Sequence, residues 1–141
     1  MMVILDTNVV SELMGHRHSA SVRGWFEGFS PADFWVTSVT KAEMLYGVEC
    51  LPEGRKRDAL RLLVGEFFHS TLRNDLLGFG DKEAQEYASL AASRRRIGRP
   101  ISQFDAQIAA IARSNGMAIA TRNVRDFEEC GLEIINPWGG R

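Results

Sequence analysis

The chain has 141 residues, 45% of them apolar and 25% charged, with a formal net charge of −1. That is the make-up of one globular domain over residues 1–141, with length enough to bury a core. It excludes a global electrostatic pull toward nucleic acid or membrane and leaves only a local patch open.

No apolar run approaches the roughly 18 residues of a membrane span. The opening residues, Met1 to Asp6, lack the basic and long apolar regions of a signal peptide. Cys50 and Cys130 stand in no metal-ligand or redox motif. The expectation is a cytoplasmic protein with reduced thiols and no membrane partner.

Val3, Ile4 and Leu5 form a short apolar run that reads as a buried strand. It stops at Asp6-Thr7-Asn8, and helix periodicity begins with Val9, Val10, Leu13 and Met14. Residues 15–19 read as a turn, with His16 and His18 solvated rather than metal-bound. Val22, Trp25, Phe26 and Phe29 then share a helix face, open to a role in the core or at a partner surface. Phe34-Trp35-Val36 is the second predicted strand. The following helix opens through Ser38 and Thr40, where Thr40-Lys41-Ala42-Glu43 matches a capping box.

Residues 51–54 break the chain, and residues 55–68 read as a mixed helix. Residues 76–79 are the third predicted strand, and Asp81 is the expected cap of the next helix. That helix ends in Arg94-Arg95-Arg96-Ile97-Gly98-Arg99-Pro100. Arginines at a helix C-terminus offset its dipole, and the same cluster suits a phosphate-contacting patch. A helix over residues 103–114 follows, with Ser102 as N-cap and Asp105 one turn in. Asp105 falls on the stripe of Ile108, Ala109 and Ala112, where a carboxylate must be capped, paired or bound to a cation. Residues 117–120 and 132–135 are the last predicted strands. Between them Asn123 and Asp126 are spaced to cap a short helical turn.

Strands alternating with helices predict an α/β fold, a parallel β-sheet flanked by helices on both faces. Asp6, Glu43, Asp105 and Asp126 then share the edge of the sheet where ligands bind. Alone, each acid reads as a helix cap. Together they repel, by about 4 kcal/mol for a pair at roughly 4 Å and an effective dielectric near 20. Protons, bases or a metal must neutralise them. An all-oxygen set suits Mg²⁺ or Mn²⁺ rather than Zn²⁺.

The segments Val3-Ile4-Leu5-Asp6-Thr7-Asn8, Thr40-Lys41-Ala42-Glu43-Met44-Leu45-Tyr46-Gly47, Ile101-Ser102-Gln103-Phe104-Asp105-Ala106-Gln107-Ile108-Ala109, Ala120-Thr121-Arg122-Asn123-Val124-Arg125-Asp126-Phe127 and Ile135-Asn136-Pro137-Trp138 resemble, in that order, the PIN-domain nucleases. Within them the likeness is to the VapC toxins of toxin–antitoxin pairs and their FitB-like group. The resemblance implies a PIN-like fold and Mg²⁺- or Mn²⁺-dependent hydrolysis of RNA, leaving 5′-phosphate and 3′-hydroxyl ends. It implies Asp6, Asp105 and Asp126 on metal, with Glu43 completing the catalytic pocket. Many relatives carry an acid where this chain has Asn123, so the ligand role at Asp126 stays open between direct and water-mediated binding. Thr7, Asn8, Thr121 and Asn123 are the implied supporting residues, and Arg94, Arg95, Arg96 and Arg99 the implied RNA contacts.

The implied partners are structured RNA, a small DNA-binding VapB-like antitoxin, and a second copy in a homodimer. The alternatives are a non-catalytic PIN module and a nuclease acting on DNA. A phosphoacceptor signalling domain would need an acceptor Asp and a Lys where Phe79-Gly80 and Ala120-Thr121 stand. A haloacid-dehalogenase-type phosphatase would want an acid at Asn8.

Overall fold

The structure is a computed structural model that describes residues 1–15 and 19–139. His16 and His18, read above as a solvated turn, lie outside the described residues. The elements run β1 (Val3–Leu5), α1 (Thr7–Met14), α2 (Ala20–Glu27), β2 (Phe34–Trp35), α3 (Ser38–Cys50), α4 (Arg55–Glu66), α5 (Asp81–Arg96), α6 (Gln103–Ser114), β3 (Ala118–Ala120), α7 (Val124–Phe127) and β4 (Ile134–Ile135). The strands form one sheet in the order β2-β1-β3-β4. Every pair is parallel, with Val3 opposite Phe34 and Ala118, and Ile119 opposite Ile134.

Successive strand residues point to opposite faces, so the sheet serves two cores at once. Val3, Leu5, Ala118 and Ala120 pack on one side with Val9 and Val10 of α1, Met44 and Val48 of α3, and Val64 of α4. Ile4 and Ile119 pack on the other with Leu90 of α5, Phe127 of α7 and most of α6. Helices cover both faces, as the alternation predicts. In α6 Ala106 and every residue from Ile108 to Ala112 are buried. A helix apolar nearly all round belongs inside, and its alanines let α5 and the sheet approach closely.

Local differences from the sequence reading have physical reasons. Residues 76–79 do not make a full strand. Only Leu77 bridges, in parallel to Thr37 beyond the end of β2. Gly78 and Gly80 flank Phe79 and weaken a ladder there, and Phe79 packs edge-on against Tyr87 of α5 at 5.9 Å instead. Asp81 is the first residue of α5 and not its cap; Gly80 precedes it with no side-chain cap bond. The aromatic face of α2 turns inward, with Trp25, Phe26 and Phe29 all ringed around Phe34 at centroid distances of 5.4, 4.5 and 5.7 Å. No described helix is long and apolar enough to cross a membrane.

The end of α5 shapes the site. Gly98 has φ of +75°. Gly98 N–H donates to Arg95 O at 3.1 Å and Arg99 N–H to Arg94 O at 2.9 Å. This is the paired closure of a Schellman turn, and the left-handed residue in it favours glycine. Pro100 then keeps the chain extended up to the Ser102 cap of α6.

Candidate active site

Asp6 stands where β1 hands over to α1. Its N–H donates to Ala120 O at 2.9 Å, extending the β1–β3 ladder by one residue. As N-cap its Oδ1 accepts from Thr7 N–H at 2.8 Å. Oδ2 accepts from Asn8 Nδ2 at 3.0 Å and from Thr121 Oγ1 at 2.8 Å. The residue is 5% exposed. Burial pushes the carboxyl above its ordinary value of 3.8; bonds from Thr121, Thr7 and Asn8 oppose this, and the charge of Asp126 adds to it. Thr121 also accepts from Asn123 N–H at 3.0 Å, and Asn8 Oδ1 accepts from Arg122 N–H at 2.9 Å. Thr7, Asn8, Thr121 and Asn123 thus form one polar network around Asp6. The Asn123 side chain makes no cap bond to α7.

Glu43 is half-buried on α3, and no capping box forms there. Thr37 caps α3, its hydroxyl accepting from Thr40 N–H at 3.1 Å. Glu43 therefore sits in the second turn, beyond the reach of cap duty. Thr7 Oγ1 donates to its Oε1 at 3.3 Å. Burial raises its pKa above 4.5; the Thr7 bond lowers it, and the charges of Asp6 and Asp105 raise it further.

Asp105 is the third residue of α6. Its N–H donates to the Ser102 hydroxyl at 3.2 Å. Burial raises its pKa above 3.8; a Ser102 bond lowers it, Asp6 and Asp126 raise it, and Arg94 lowers it. Asp126 lies exposed on the short α7, its N–H donating to Asn123 O at 3.0 Å.

The fold thus brings Asp6 and Asp105 within electrostatic range of each other, Glu43 within range of both, and Asp126 within range of both, at the C-terminal ends of β1 and β3 and near the starts of α3 and α6. Asp6, Glu43 and Asp105 are each held against their usual tendency to ionise. All offer carboxylate oxygens, the donor set of a hard divalent cation. Among the described residues, no three acids, imidazoles or thiols converge as a closed metal-ligand set. A small hard cation retains several waters and is commonly held by one or two carboxylates, so this open arrangement fits it.

The arginine cluster divides. Arg95 and Arg96 are exposed. Arg94 is 4% exposed, so it does not belong to a phosphate-contacting surface. Its Nε donates to Arg99 O at 2.7 Å and its Nη1 to Asp126 O and Glu128 O, both at 3.0 Å. Arg99 is partly exposed and pairs with Glu128 at 3.5 Å. The sequence reading also missed Thr37, the true N-cap, and took Thr40 for the cap instead. Both are fully buried and pass hydroxyl contacts of 3.4 Å to Thr7, which touches Glu43. Their spacing, three residues apart at a helix start, was the available signal.

A cleft of about 420 Å³ runs between α1, α3 and α4, lined by Ser11, Met14, Met44, Leu60 and Leu63 and reaching Thr7 and Glu43. A second cleft, of about 550 Å³, is lined by Arg122, Asn123, Arg125 and Asp126.

The chain is similar to a VapC ribonuclease, Y4jK, of Sinorhizobium fredii, at 35% identity over 138 residues, covering 97% of this chain and 98% of the relative. It is 28% identical to toxin FitB of Neisseria gonorrhoeae over 137 residues, covering 97% and 99% of the two chains. In three dimensions it matches the crystal structure of FitAcB from Neisseria gonorrhoeae with a TM-score of 0.87 and 28% identity, over 98% of this chain and 99% of that one. The pattern of the PIN domain covers residues 3–131, a span that takes in Asp6, Glu43, Asp105 and Asp126 together with every strand they lie beside except the last. With the sheet order and this cluster of acids in place, the chain belongs to the PIN-domain family.

Proposed function

We propose that residues 1–141 act as one PIN domain, a VapC-type toxin that hydrolyses phosphodiester bonds in RNA with Mg²⁺ or Mn²⁺. The observation that carries this reading is the gathering of Asp6, Glu43 and Asp105, each with its proton affinity raised first by burial and then by neighbouring acids, beside the exposed Asp126. Such a pocket is costly without a cation and productive with one. The ribonuclease and toxin names of its relatives support the same class.

Asp6, Asp105 and Asp126 would hold a divalent cation here, which would supply Lewis acidity toward water and the phosphate charge. Asp6 is the rigid ligand, its oxygens oriented by Thr7, Asn8 and Thr121. Asp105 is the second, carried on the capped end of α6. Asp126, at the rim, completes the set directly or through water. Glu43 takes the proton of the attacking water, because it is half-buried, proton-hungry and held by Thr7 alone among its hydrogen-bond partners named above. The exposed Arg95 and Arg96 meet RNA phosphates.

The antitoxin, in this reading, docks an apolar helix in the cleft between α1, α3 and α4 and reaches toward Glu43. Tyr46 and Leu62, 71% and 74% exposed, border that region on α3 and α4. The inward packing of Trp25, Phe26 and Phe29 moves the docking surface off α2. The chain pairs as a homodimer and works in the cytoplasm. Labelled RNA and DNA, incubated with purified protein with and without EDTA, test the proposal. Metal-dependent cutting of RNA alone supports it; cutting that survives EDTA, or no cutting with any divalent ion, overturns it.

A further inference from the structure

Three arginines end α5, and the middle and last face solvent while the first does not. Arg94 is buried to 4% exposure. A guanidinium stays charged at any ordinary pH, so the fold must compensate it. Its hydrogen-bond acceptors are Arg99 O at 2.7 Å, Asp126 O and Glu128 O at 3.0 Å, and the Cys130 sulfur at 3.6 Å. These are three backbone carbonyls and a thiol, not a carboxylate. The charge is therefore solvated by peptide dipoles rather than cancelled by a direct ion pair. It is felt by the Asp105 carboxylate.

A helix-end arginine bonds its own C-terminal carbonyls, and the bond to Arg99 O does so. The bonds to Asp126 and Glu128 do something else. They span 32 and 34 residues and seize the backbone of α7 and the turn after it. Four residues with no side-chain cap are too short to hold a helix unaided. Arg99 adds a second grip, its Nη2 donating to Arg125 O at 3.3 Å.

We infer that Arg94 is a positioning residue of the acid cluster: its buried guanidinium fixes the backbone that carries Asp126. This rests on the proposed reading that the acids bind a divalent cation. Arginine is suited to the task because one planar fork serves carbonyls on different segments, which a lysine ammonium cannot match.

The test is a Mn²⁺ titration of the full chain, followed by electron paramagnetic resonance of free Mn²⁺, on wild type, Arg94→Lys, Arg94→Met and Asp6→Asn. Circular dichroism and thermal melts of each accompany it. Second-sphere partners of metal ligands are worth roughly 10- to 100-fold in affinity. The expected result is a loss in that range for Arg94→Met, a smaller loss for Arg94→Lys, and folded spectra for Arg94→Lys. Equal Mn²⁺ affinity in both Arg94 variants and wild type overturns the inference while leaving the metal site standing. An unfolded Arg94→Lys also overturns it, because the arginine is then a fold element only. Failure of the wild type to bind Mn²⁺, or binding unaffected by Asp6→Asn, overturns the cation reading itself and the inference with it.

Discussion

The Thr121 hydroxyl donates to Asp6 Oδ2 at 2.8 Å, tying the end of β3 to the end of β1. Both residues are buried, and the same Thr121 oxygen accepts from Asn123 N–H. Thr121→Val keeps the shape and removes both bonds, together with the longer one that Thr121 accepts from Asn8 Nδ2 at 3.4 Å. A hydrogen bond to a charged group contributes about 1.5–3 kcal/mol, and the unpaired Asn123 N–H adds to the loss. Thr121→Val should therefore lower stability by about 2 kcal/mol and weaken metal binding roughly tenfold or more. Thr121→Ser should restore most of both. Denaturant melts and a Mn²⁺ titration of the two variants check this.

Asp105→Asn should melt at or above the wild type in EDTA. The carboxylate is penalised first by burial and then by Asp6 and Asp126, so removing its charge relieves the folded state. The pH dependence has a definite sign. The folded pKa lies above 3.8, so the folded state binds the extra proton. The contribution of Asp105 to wild-type stability is fully present below 3.8 and is lost as pH rises through the raised folded value. The gap favouring Asp105→Asn should be widest near neutral pH and close as pH drops below 3.8. Adding Mg²⁺ should reverse the ranking, since wild type gains about 2.7 kcal/mol at 100 times its dissociation constant and the variant gains little. Retained cutting and a retained Mg²⁺ response would reduce Asp105 to a cap.

Glu43→Gln separates proton transfer from metal holding. Glutamine still accepts the Thr7 hydroxyl bond, and the loss of charge relieves Asp6 and Asp105. RNA cleavage should fall by roughly 10²- to 10⁴-fold. Stabilisation by Mg²⁺ should persist. Loss of both in parallel would make Glu43 a ligand instead of a base.

Arg95 and Arg96 are exposed, so reversing both to Glu should weaken RNA binding without unfolding the chain. Each lost phosphate contact should reduce the slope of log affinity against log salt by about 0.7. Filter binding of the RNA by an inactive Asp6→Asn background across a salt series reads this. An unchanged slope would place the RNA elsewhere, and the cleft lined by Arg122 and Arg125 is then the next place to look.

The sheet was legible where apolar runs are bounded by polar turns, as at residues 3–5 and 117–120. The predicted strand at 76–79 failed because its apolar run lacks partners beyond Leu77. The placement of Asp105 was legible because a carboxylate on a buried stripe demands an explanation, and that of Asp6 because it ends an apolar strand where helix periodicity begins. The cap of α3 was not, since Thr37 and Thr40 both stand three residues before a polar partner. The chain does not say which hydroxyl takes the N-cap until β2 fixes the entry. Arg94 was legible in principle. Tyr87, Leu90 and Ala91 mark the inner face of α5, and Arg94 continues that stripe by one turn. Two identical neighbours, Arg95 and Arg96, hid it among the solvated end of the helix.

β1 lies between β2 and β3, and its neighbour on one side is 115 residues further along the chain. While the polypeptide is still leaving the ribosome, Asp6 and Glu43 are already made and Asp105 and Asp126 are not. The first strand must wait, half-paired, for residues synthesised near the end. Long-range parallel pairing of this kind forms late and slowly. The acid pocket is thus completed only by residues from the last third of the chain, and its geometry depends on pairing across 115 residues.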